Sequence, residues 1–396
     1  MAAQILVVGG GIGGLATALA LVRRGHRVEL LEQAAAFGEV GAGVQLGPNV
    51  TRRLQALHTG AALQAIAAAP EALVVRSADD GSELARLALG VAMQRRYGAP
   101  YLCVHRADLH GLLLAAVRDS GTVALNTGKR IALIEVDDDS VCVSCPLSQA
   151  WEGDALVGAD GLWSTVRQCV AEADVPPRAT GHTAWRALVP QAALPAALRR
   201  NRIDVWLGAR LHALAYPVRG GEWLNVVVLA ETATAGTHPA DARDWDQAGS
   251  LAALQQASGR SGAALQSLLE AMPGWRAWSL HDRAPLAAAD AMARGRVALV
   301  GDAAHPMLPY LAQGAGMAIE DAVALAEALG EGGPADVPAA FGRYAEARWQ
   351  RNAQVQARAR RNGEIFHATG PIRLGRDLAM RALGPRLLDQ PWLYGA

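Results

Sequence analysis

A run of glycines between two apolar segments, near the start of the chain, restricts the fold more than any other feature. Residues 5–8 form a short aliphatic run typical of a buried strand, and residues 13–24 are small and aliphatic, as in a helix that ends at Gly25. Residues 26–32 predict a second strand. A strand, a helix and another strand in this order predict a crossover connection in a parallel sheet.

The glycines of this segment have the spacing G-x-G-x-x-G, with Gly9, Gly11 and Gly14 at its fixed positions. The first glycine allows a tight turn, the second lets the backbone approach a pyrophosphate, and the third lets helix and strand pack closely. The free N–H groups at the helix start favour phosphate groups. We therefore predict a dinucleotide site; an accidental glycine turn is the weaker alternative.

Glu32 ends the second predicted strand, about 20 residues beyond the glycines. A carboxylate at this point accepts hydrogen bonds from an adenosine ribose, and it disfavours a 2′-phosphate. The resident dinucleotide is therefore expected to be FAD or NAD, not NADP.

Composition favours a globular protein that binds a small molecule. The 396 residues allow two or three domains, and a hydrophobic content of 51% supports a sizeable core. The 37 lysines and arginines balance the 37 aspartates and glutamates. A balanced charge gives no electrostatic reason for nucleic acid or an anionic membrane to bind.

The four cysteines are too few to cross-link a chain of this length, which favours a reducing cytoplasm. Cys142 and Cys145 form a C-x-x-C pair, but in a strand-like segment residues three apart point to opposite faces. No metal is therefore expected. The first 22 residues are apolar, but they lack a basic start and contain several glycines, so neither a signal peptide nor a membrane span is predicted.

The character of the sequence changes twice and divides the chain into three parts. Residues 1–72, 98–174 and 286–335 predict an α/β domain with a mostly parallel sheet and helices. Residues 73–97 and 175–285 predict an antiparallel-sheet domain for the substrate, and residues 336–396 a helical C-terminal region. Tryptophans concentrate in the second part, and Trp206 is interpreted as core rather than pocket wall. They are Trp185, Trp206, Trp223, Trp245, Trp275 and Trp278.

Two later segments complete a pattern that is specific to one class of enzymes. Residues 158–167 read G-A-D-G-L-W-S-T-V-R, and G-D-A-A-H-P at 301–306 is followed by Q-G-A-G at 313–316. With the first glycine run, their order and spacing resemble the single-component FAD-dependent aromatic hydroxylases. This family includes the hydroxylases of salicylate, 4-hydroxybenzoate and 3-hydroxybenzoate. The resemblance implies a Rossmann-like FAD-binding domain.

The resemblance also implies roles for residues in these segments. Asp302, after a buried strand, would accept a hydrogen bond from the ribityl chain of the flavin. Gly314 and Gly316 open a helix whose N–H groups would face the pyrimidine edge of the isoalloxazine. Asp160 would support the flavin and the approach of the nicotinamide. The alternatives are that Asp302 only forms part of a strand–turn–helix connection, and that Asp160 is an N-cap or part of a surface turn.

Arg106 and Pro306 are also expected to lie near the flavin. Arg106, in H-R-A-D-L at 105–109, matches an arginine that touches FAD in this family, although an arginine before a helix is often only solvated. Pro306 follows His305 next to Asp302, and we expect this segment to position the flavin through its backbone, not to supply a base.

The family resemblance implies that NADH or NADPH binds transiently and reduces the flavin, which reacts with O2 to give a flavin hydroperoxide. This electrophile attacks an electron-rich ring, usually a phenol whose deprotonation increases electron density at the ortho and para carbons. A base must therefore lie near the substrate hydroxyl, and water must be excluded.

The expected substrate is a small phenolic acid such as 3-hydroxybenzoate or salicylate, and the alternative is a hydroxypyridine carboxylate such as 6-hydroxynicotinate. The segments around Gln45 and Tyr310 most resemble 3-hydroxybenzoate 6-hydroxylase, and Leu308 and Tyr310 are expected to line the ring pocket. His212 and Tyr216 match a pair in that enzyme and in 6-hydroxynicotinate 3-monooxygenase. Their spacing of four on a strand places both on one face, where they could bind and deprotonate a hydroxyl. A structural pair at a domain interface is the alternative.

Other functions fit the sequence less well. A flavin-dependent halogenase would need W-x-W-x-I-P and a catalytic lysine, whereas this chain has only W-R-A-W at 275–278. A disulfide reductase would need a closely spaced cysteine pair after the first glycines and a second nucleotide domain. A non-catalytic flavin sensor is the remote alternative. We expect a monomer or a homodimer.

Overall fold

The computed structural model describes residues 2–38, 41–146, 149–171, 175–232, 244, 246–259 and 261–395. The strands of these residues are β1 (Gln4–Val8), β2 (Arg27–Leu31), β3 (Gly43–Leu46), β4 (Ala72–Ser77), β5 (Glu83–Ala88), β6 (Leu102–His105), β7 (Val123–Asn126), β8 (Leu133–Val136), β9 (Val141–Ser144), β10 (Ala150–Gly153), β11 (Ala155–Gly158), β12 (Arg178–Pro190), β13 (Ile203–Leu207), β14 (Leu211–Val218), β15 (Trp223–Glu231), β16 (Gln247–Gly249), β17 (Trp275–Asp282), β18 (Ala293–Arg294) and β19 (Val297–Leu299). The α-helices are α1 (Ile12–Val22), α2 (Pro48–Ala56), α3 (Gly60–Ile66), α4 (Gly90–Tyr97), α5 (Arg106–Asp119), α6 (Leu251–Ser258), α7 (Ala263–Glu270), α8 (Gly314–Leu329), α9 (Val337–Phe366), α10 (Gly370–Leu383), α11 (Pro385–Leu388) and α12 (Pro391–Tyr394).

The glycine run lies in a six-stranded sheet with the order β18-β19-β11-β1-β2-β7. All pairs are parallel except β18 with β19. β1, α1 and β2 form the predicted crossover, and β1 is apolar and buried because helices and other chain segments cover the sheet. The carboxyl ends of β1, β11 and β19 therefore meet at one edge, which is where the three sequence segments begin.

A second sheet has eight strands in the order β16-β17-β12-β15-β14-β13-β4-β5. Its pairs are antiparallel, as the sequence predicted, except for β13 with β4, which are parallel. The exception arises because β4 and β13 are far apart in the chain, so no tight hairpin fixes their relative direction. Two smaller antiparallel sheets, β10-β9-β8 and β3-β6, complete the strands. The predicted hairpin near residues 130–145 is the pair β8–β9.

Alternate residues of the large sheet have different surroundings on its two faces. On the outer face, Trp185, Trp206 and Trp275 are buried in one cluster that includes residues of α6 and α7. Trp206 is therefore core, as interpreted from the sequence, while Trp245 lies outside the described residues. The opposite face, called the inner face here, carries His212, Leu214 and Tyr216 of β14 and faces the parallel-sheet domain.

The C-terminal helices connect the two sheets. α8 packs on α1 and α2, and α9 runs along α8 and ends beside the inner face of the large sheet. The helix expected to open at Gly314 is α8, and the region 336–396, expected to be helical, contains α9, α10, α11 and α12. The domain boundaries stay a prediction, and the one at residue 174 lies outside the described residues. Among the described residues, no helix is both long and apolar enough to cross a membrane.

Candidate active site

The first glycine segment forms a turn that other residues could not adopt. Gly9 has a φ of +108°, and a Cβ there would lie 2.3 Å from the carbonyl oxygen of Ala159. A Cβ on Gly14 would lie 1.8 Å from the carbonyl oxygen of Gly9. Gly11 is the N-cap of α1. The loop therefore has the close backbone approach that a pyrophosphate requires.

Glu32 follows β2 and lies against this turn. Its Oε2 accepts a hydrogen bond from the backbone N–H of Gly10 at 2.6 Å, and its Oε1 accepts one from Ala34 at 2.7 Å. The structure thus brings together Glu32 and the glycine turn, as the spacing predicted.

The second segment, at 158–167, forms a turn whose acid is engaged internally. The carboxylate of Asp160 accepts hydrogen bonds from Ser164 Oγ at 2.5 Å and from the backbone N–H of Thr165 at 2.7 Å. Asp160 thus closes the turn before a short 3-10 helix that begins at Val166, and its contact with the flavin stays a prediction. The first and second segments touch, because Gly9 packs against Ala159.

Arg167, from the end of the second segment, joins it to the third. Its Nη1 donates hydrogen bonds to the carbonyl oxygens of Ala303 at 2.9 Å and Ala304 at 2.7 Å. From the sequence, Arg167 was recognised only as the last residue of the motif at 158–167. Its position after the acidic turn was the available signal, but its partners could not be read from spacing.

The third segment places Asp302 and Pro306 beside the start of α8. Asp302 lies in a short 3-10 turn, and a Cβ on Gly314 would lie 3.9 Å from its Oδ1. A Cβ on Gly316 would lie 2.6 Å from Val50, so the start of α8 needs a glycine to approach α2. The carbonyl oxygen of Pro306 accepts a hydrogen bond from Gln356 of α9 at 3.1 Å.

A buried network of charges lies directly behind this segment. Asp321 accepts hydrogen bonds from His305 Nε2 at 2.5 Å and from Arg348 Nε at 2.8 Å. Glu320 accepts from Arg348 and Arg351, both at 2.7 Å. Burial alone would raise the pKa of Asp321, but the charges of His305 and Arg348 hold it well below its usual value.

This network shows that His305 is held by an acid, in keeping with the expectation that it is not the base. Sequence reasoning missed Arg348, Arg351 and Asn352. The signal was a polar stripe at helical spacing along α9, but a solvated helix face produces the same pattern.

Arg106 begins α5 and lies next to the loop that precedes β3. Its backbone N–H donates to the carbonyl oxygen of Ala42 at 2.9 Å. A Cβ on Gly41 would lie 2.9 Å from the Cβ of Arg106. The structure therefore places Arg106 beside Gly41, whereas contact with FAD stays a prediction.

Tyr216 connects the large sheet to β3. Its hydroxyl donates to the carbonyl oxygen of Gly43 at 2.7 Å, and Asn225 Oδ1 accepts from the N–H of Gly43 at 2.9 Å. Gln45, two residues on, accepts a hydrogen bond from Tyr101 at 2.8 Å. Burial raises the pKa of Tyr216 far above its usual value, so its hydroxyl is a neutral donor.

His212 lies on the same face as Tyr216, as predicted, but has different partners. Its Nδ1 lies 2.9 Å from His367 Nε2, at the end of α9. The Tyr310 ring lies 5.1 Å from the His212 ring, and its hydroxyl bonds to His182. Leu308 packs in the same cluster as Tyr310. The structure thus joins Leu308, Tyr310 and His212, and it places Gln45 with Tyr216.

The imidazoles of this cluster are neutral near pH 7. Burial, together with His367 and His182, lowers the pKa of His212 well below its usual value. Burial, His182 and Arg376 lower the pKa of His367 to about 3. A neutral buried imidazole has a free lone pair, which is what a general base requires.

Within the described residues, one group has the composition of a metal site. His182, Glu231 and His367 offer donor atoms that lie within 4.8 Å of one another. However, His182 already bonds to Tyr310, Glu231 is 3.8 Å from Arg210, and the positive charge of Arg376 acts on His367. Two nearby cations oppose a divalent ion, so we interpret this group as a hydrogen-bonded cluster.

Comparison with known proteins assigns the fold and its site to a family. The family model described as an FAD binding domain matches residues 2–359. The chain belongs to this FAD-binding family. The match includes all three segments that meet at the edge of the parallel sheet, and it extends along most of α9.

Two relatives of this FAD-binding chain are named for the reaction they catalyse. It is 41% identical over 395 residues to 3-hydroxybenzoate 6-hydroxylase of Polaromonas naphthalenivorans, covering 99% of this chain and 95% of the relative. It is 36% identical over 360 residues to 6-hydroxynicotinate 3-monooxygenase of Bordetella bronchiseptica, covering 89% of each. The chain is an FAD-dependent monooxygenase, as the motifs predicted.

The fold agrees with a solved structure of the same class. A salicylate hydroxylase in complex with its substrate superposes with a TM-score of 0.82 and 27% identity, covering 100% of this chain and 96% of that one. The predicted fold, a Rossmann-like domain with a largely antiparallel second sheet and C-terminal helices, is therefore confirmed.

Proposed function

We propose that this FAD-dependent monooxygenase hydroxylates a small phenolic acid, with 3-hydroxybenzoate as the first candidate. NADH or NADPH and O2 are its co-substrates. The buried, neutral imidazole of His212 on the inner face supports the proposal most strongly, because a phenol needs such a base. The relative that is 41% identical acts on 3-hydroxybenzoate, as its name states.

The three glycine-containing segments fit FAD without further change. Gly9, Gly11 and Gly14 would cradle the pyrophosphate at the start of α1, and Glu32 would hold the adenosine ribose. A Cβ at Gly9 or Gly14 would meet backbone at 2.3 or 1.8 Å, so no larger residue could form this turn. Asp302, Pro306, Gly314 and Gly316 would hold the flavin end, with Arg106 and Asp160 beside them. The residues expected to contact FAD are therefore Gly9, Gly11, Gly14, Glu32, Arg106, Asp160, Asp302, Pro306, Gly314 and Gly316.

Bound FAD would accept a hydride from the nicotinamide and activate O2. The protein has three remaining tasks: to bind the ring, to remove its phenolic proton and to exclude water. His212 would accept the proton at Nε2, the nitrogen that does not face His367. Leu308 and Tyr310 would pack against the ring, since Tyr310 is buried next to this imidazole and Leu308 packs in the same cluster as Tyr310.

Tyr216 has a positioning role in this proposal. Because its pKa is raised and its hydroxyl donates to Gly43, it cannot act as the base at neutral pH. Instead it would fix β3, and with it Gln45, against the inner face. In this proposal His212 is therefore the base, and Tyr216 is its structural partner.

The second candidate substrate is a hydroxypyridine carboxylate. A relative of 36% identity that spans 89% of this chain is named 6-hydroxynicotinate 3-monooxygenase. The same base would serve, because this ring also carries an acidic hydroxyl.

A reducing cytoplasm, favoured by the cysteine usage, is the proposed location.

Substrate-stimulated oxidation of NADH tests the proposal. Purified, FAD-loaded protein is mixed with NADH, O2 and one member of a panel of hydroxybenzoates and hydroxynicotinates, and the product is identified by mass spectrometry. We expect one phenolic acid to accelerate NADH oxidation and to gain one oxygen atom. His212→Asn should abolish the product, while His58→Asn, an exposed control, should not. A protein that no aromatic stimulates would be the non-catalytic flavin sensor.

A further inference from the structure

The proposed base His212 has no direct contact with solvent. Its side chain belongs to a residue that is only 1% exposed, and its Nδ1 faces another imidazole. A base that accepts one substrate proton per turnover must also release it. The protein therefore needs a path from His212 to the surface.

A chain of titratable side chains leads outward from this imidazole. His212 Nδ1 lies 2.9 Å from His367 Nε2, and His367 Nδ1 lies 3.8 Å from Glu231 Oε1. The Glu231 side chain is 40% exposed. His367 Nδ1 is buried and has no hydrogen-bond partner, so it is free to exchange a proton with Glu231. A small rotation of the partly exposed carboxylate would bring these two atoms within hydrogen-bond distance.

We propose that His367 and Glu231 conduct the phenolic proton from His212 to solvent. This inference rests on the proposed function, in which His212 is the base. It assigns a role in the reaction to the end of α9, which is distant from His212 in the sequence.

The proton balance requires no charged imidazole. The phenol transfers its proton to His212 Nε2, while the proton on His212 Nδ1 moves to His367 Nε2. The proton on His367 Nδ1 moves to the carboxylate of Glu231, which releases it to water. Both imidazoles exchange one tautomer for the other, and the net products are a bound phenolate and one proton in solvent.

The surroundings of the path favour this exchange over a protonated intermediate. His182 and Tyr310 lie beside the two imidazoles, Arg210 is 3.8 Å from Glu231, and Arg376 acts on His367. Burial, His182 and Arg376 lower the pKa of His367 to about 3, so an imidazolium there is strongly disfavoured. A concerted shift avoids this cost, because no charge rests on the ring.

Proton release on substrate binding tests the relay. FAD-loaded protein in weak buffer at pH 8 is mixed rapidly with 3-hydroxybenzoate, and a pH indicator follows the released proton. We expect His367→Asn to slow release at least tenfold and Glu231→Gln at least threefold, with the Kd of 3-hydroxybenzoate within twofold of wild type. Glu222→Gln, an exposed control, should release the proton at the wild-type rate.

The outcomes separate the relay from the function on which it rests. If wild type hydroxylates the ring and both variants release protons at the wild-type rate, the relay is wrong and the proposed function stands. If wild type neither releases a proton nor forms product with any phenolic acid in the panel, the proposed function fails. Should His367→Asn not retain FAD, the Glu231→Gln result decides, because that side chain is partly exposed.

Discussion

Arg348 Nε donates to Asp321 Oδ1 over 2.8 Å, across the contact between α9 and α8. The arginine also bonds to Glu320 and Asn352, and all four residues are buried. A buried pair of this kind is costly to form but much more costly to break, because each remaining charge loses its partner. The network thus ties the C-terminal helices to the helix whose start would face the flavin.

Arg348→Met should destabilise the protein by about 3–5 kcal/mol, because it removes the cation that two buried carboxylates share. The pKa values of Asp321 and Glu320 lie below their usual range, so their stabilisation is present at neutral pH and is lost as the pH falls through these values. The deficit of the variant should therefore be the same at pH 7 and 5.5, and it should begin to narrow only near pH 4.5, the ordinary pKa of a glutamate.

Urea unfolding of FAD-loaded protein at pH 7, 5.5 and 4.5 measures this deficit. Arg343→Met on the same helix is the control, since Arg343 is exposed and bonds only a helix-end carbonyl among the contacts described. It should change the free energy of unfolding by less than about 0.5 kcal/mol. An equal loss in both variants would contradict the role given to the buried network.

Gly14→Ala should prevent FAD from binding, because the added Cβ would meet the Gly9 carbonyl oxygen at 1.8 Å and force β1 and α1 apart. The flavin content of the purified protein, read from its visible absorbance, checks this. Gly111→Ala is the matched control, because nothing lies within 4 Å of its Cβ position in α5. That variant should stay yellow and gain up to about 1 kcal/mol in stability.

His367→Asn should make the protein less sensitive to acid. The folded-state pKa of His367, about 3, lies below that of a solvated histidine, so the unfolded state binds the proton more readily between these values. The buried, neutral His367 therefore contributes its full stability above pH 6.5, and this stability is lost as the pH falls below 6.5. In His367→Asn, the decrease of the unfolding free energy with falling pH should be less steep, by up to about 1.4 kcal/mol per pH unit.

Unfolding free energies at pH 7.5, 6.5 and 5.5 measure this slope. His58→Asn serves as the control, since His58 is exposed and has a φ of +51°, which asparagine tolerates. An unchanged slope for His367→Asn would show that His367 is not buried as described.

Tyr216→Phe should uncouple the reaction. Loss of the hydroxyl leaves the Gly43 carbonyl without its donor, which costs about 1–3 kcal/mol and loosens β3 beside the inner face. NADH oxidation should then exceed product formation, with the difference appearing as hydrogen peroxide. Tyr97→Phe, which removes a hydrogen bond to Asp389, should leave coupling unchanged. Full coupling in Tyr216→Phe would remove this tyrosine from the site.

Local sequence patterns were sufficient to predict the cofactor-binding fold. The spacing of Gly9, Gly11 and Gly14 predicted the turn, because backbone clashes exclude a Cβ at Gly9 and at Gly14. The start of α8 at Gly314 and the helical character of the C-terminal region were also expected from the sequence. The shared face of His212 and Tyr216 also followed from strand geometry alone.

The tertiary structure decided which side chains meet. His212 and His367 are 155 residues apart, Arg348 and Asp321 come from different helices, and no local period relates them. The parallel pairing of β13 with β4 was likewise set by packing. Sequence by itself determined the elements and the glycine turn because these obey short-range sterics; contacts between distant segments arise only when the two sheets and α9 are packed together.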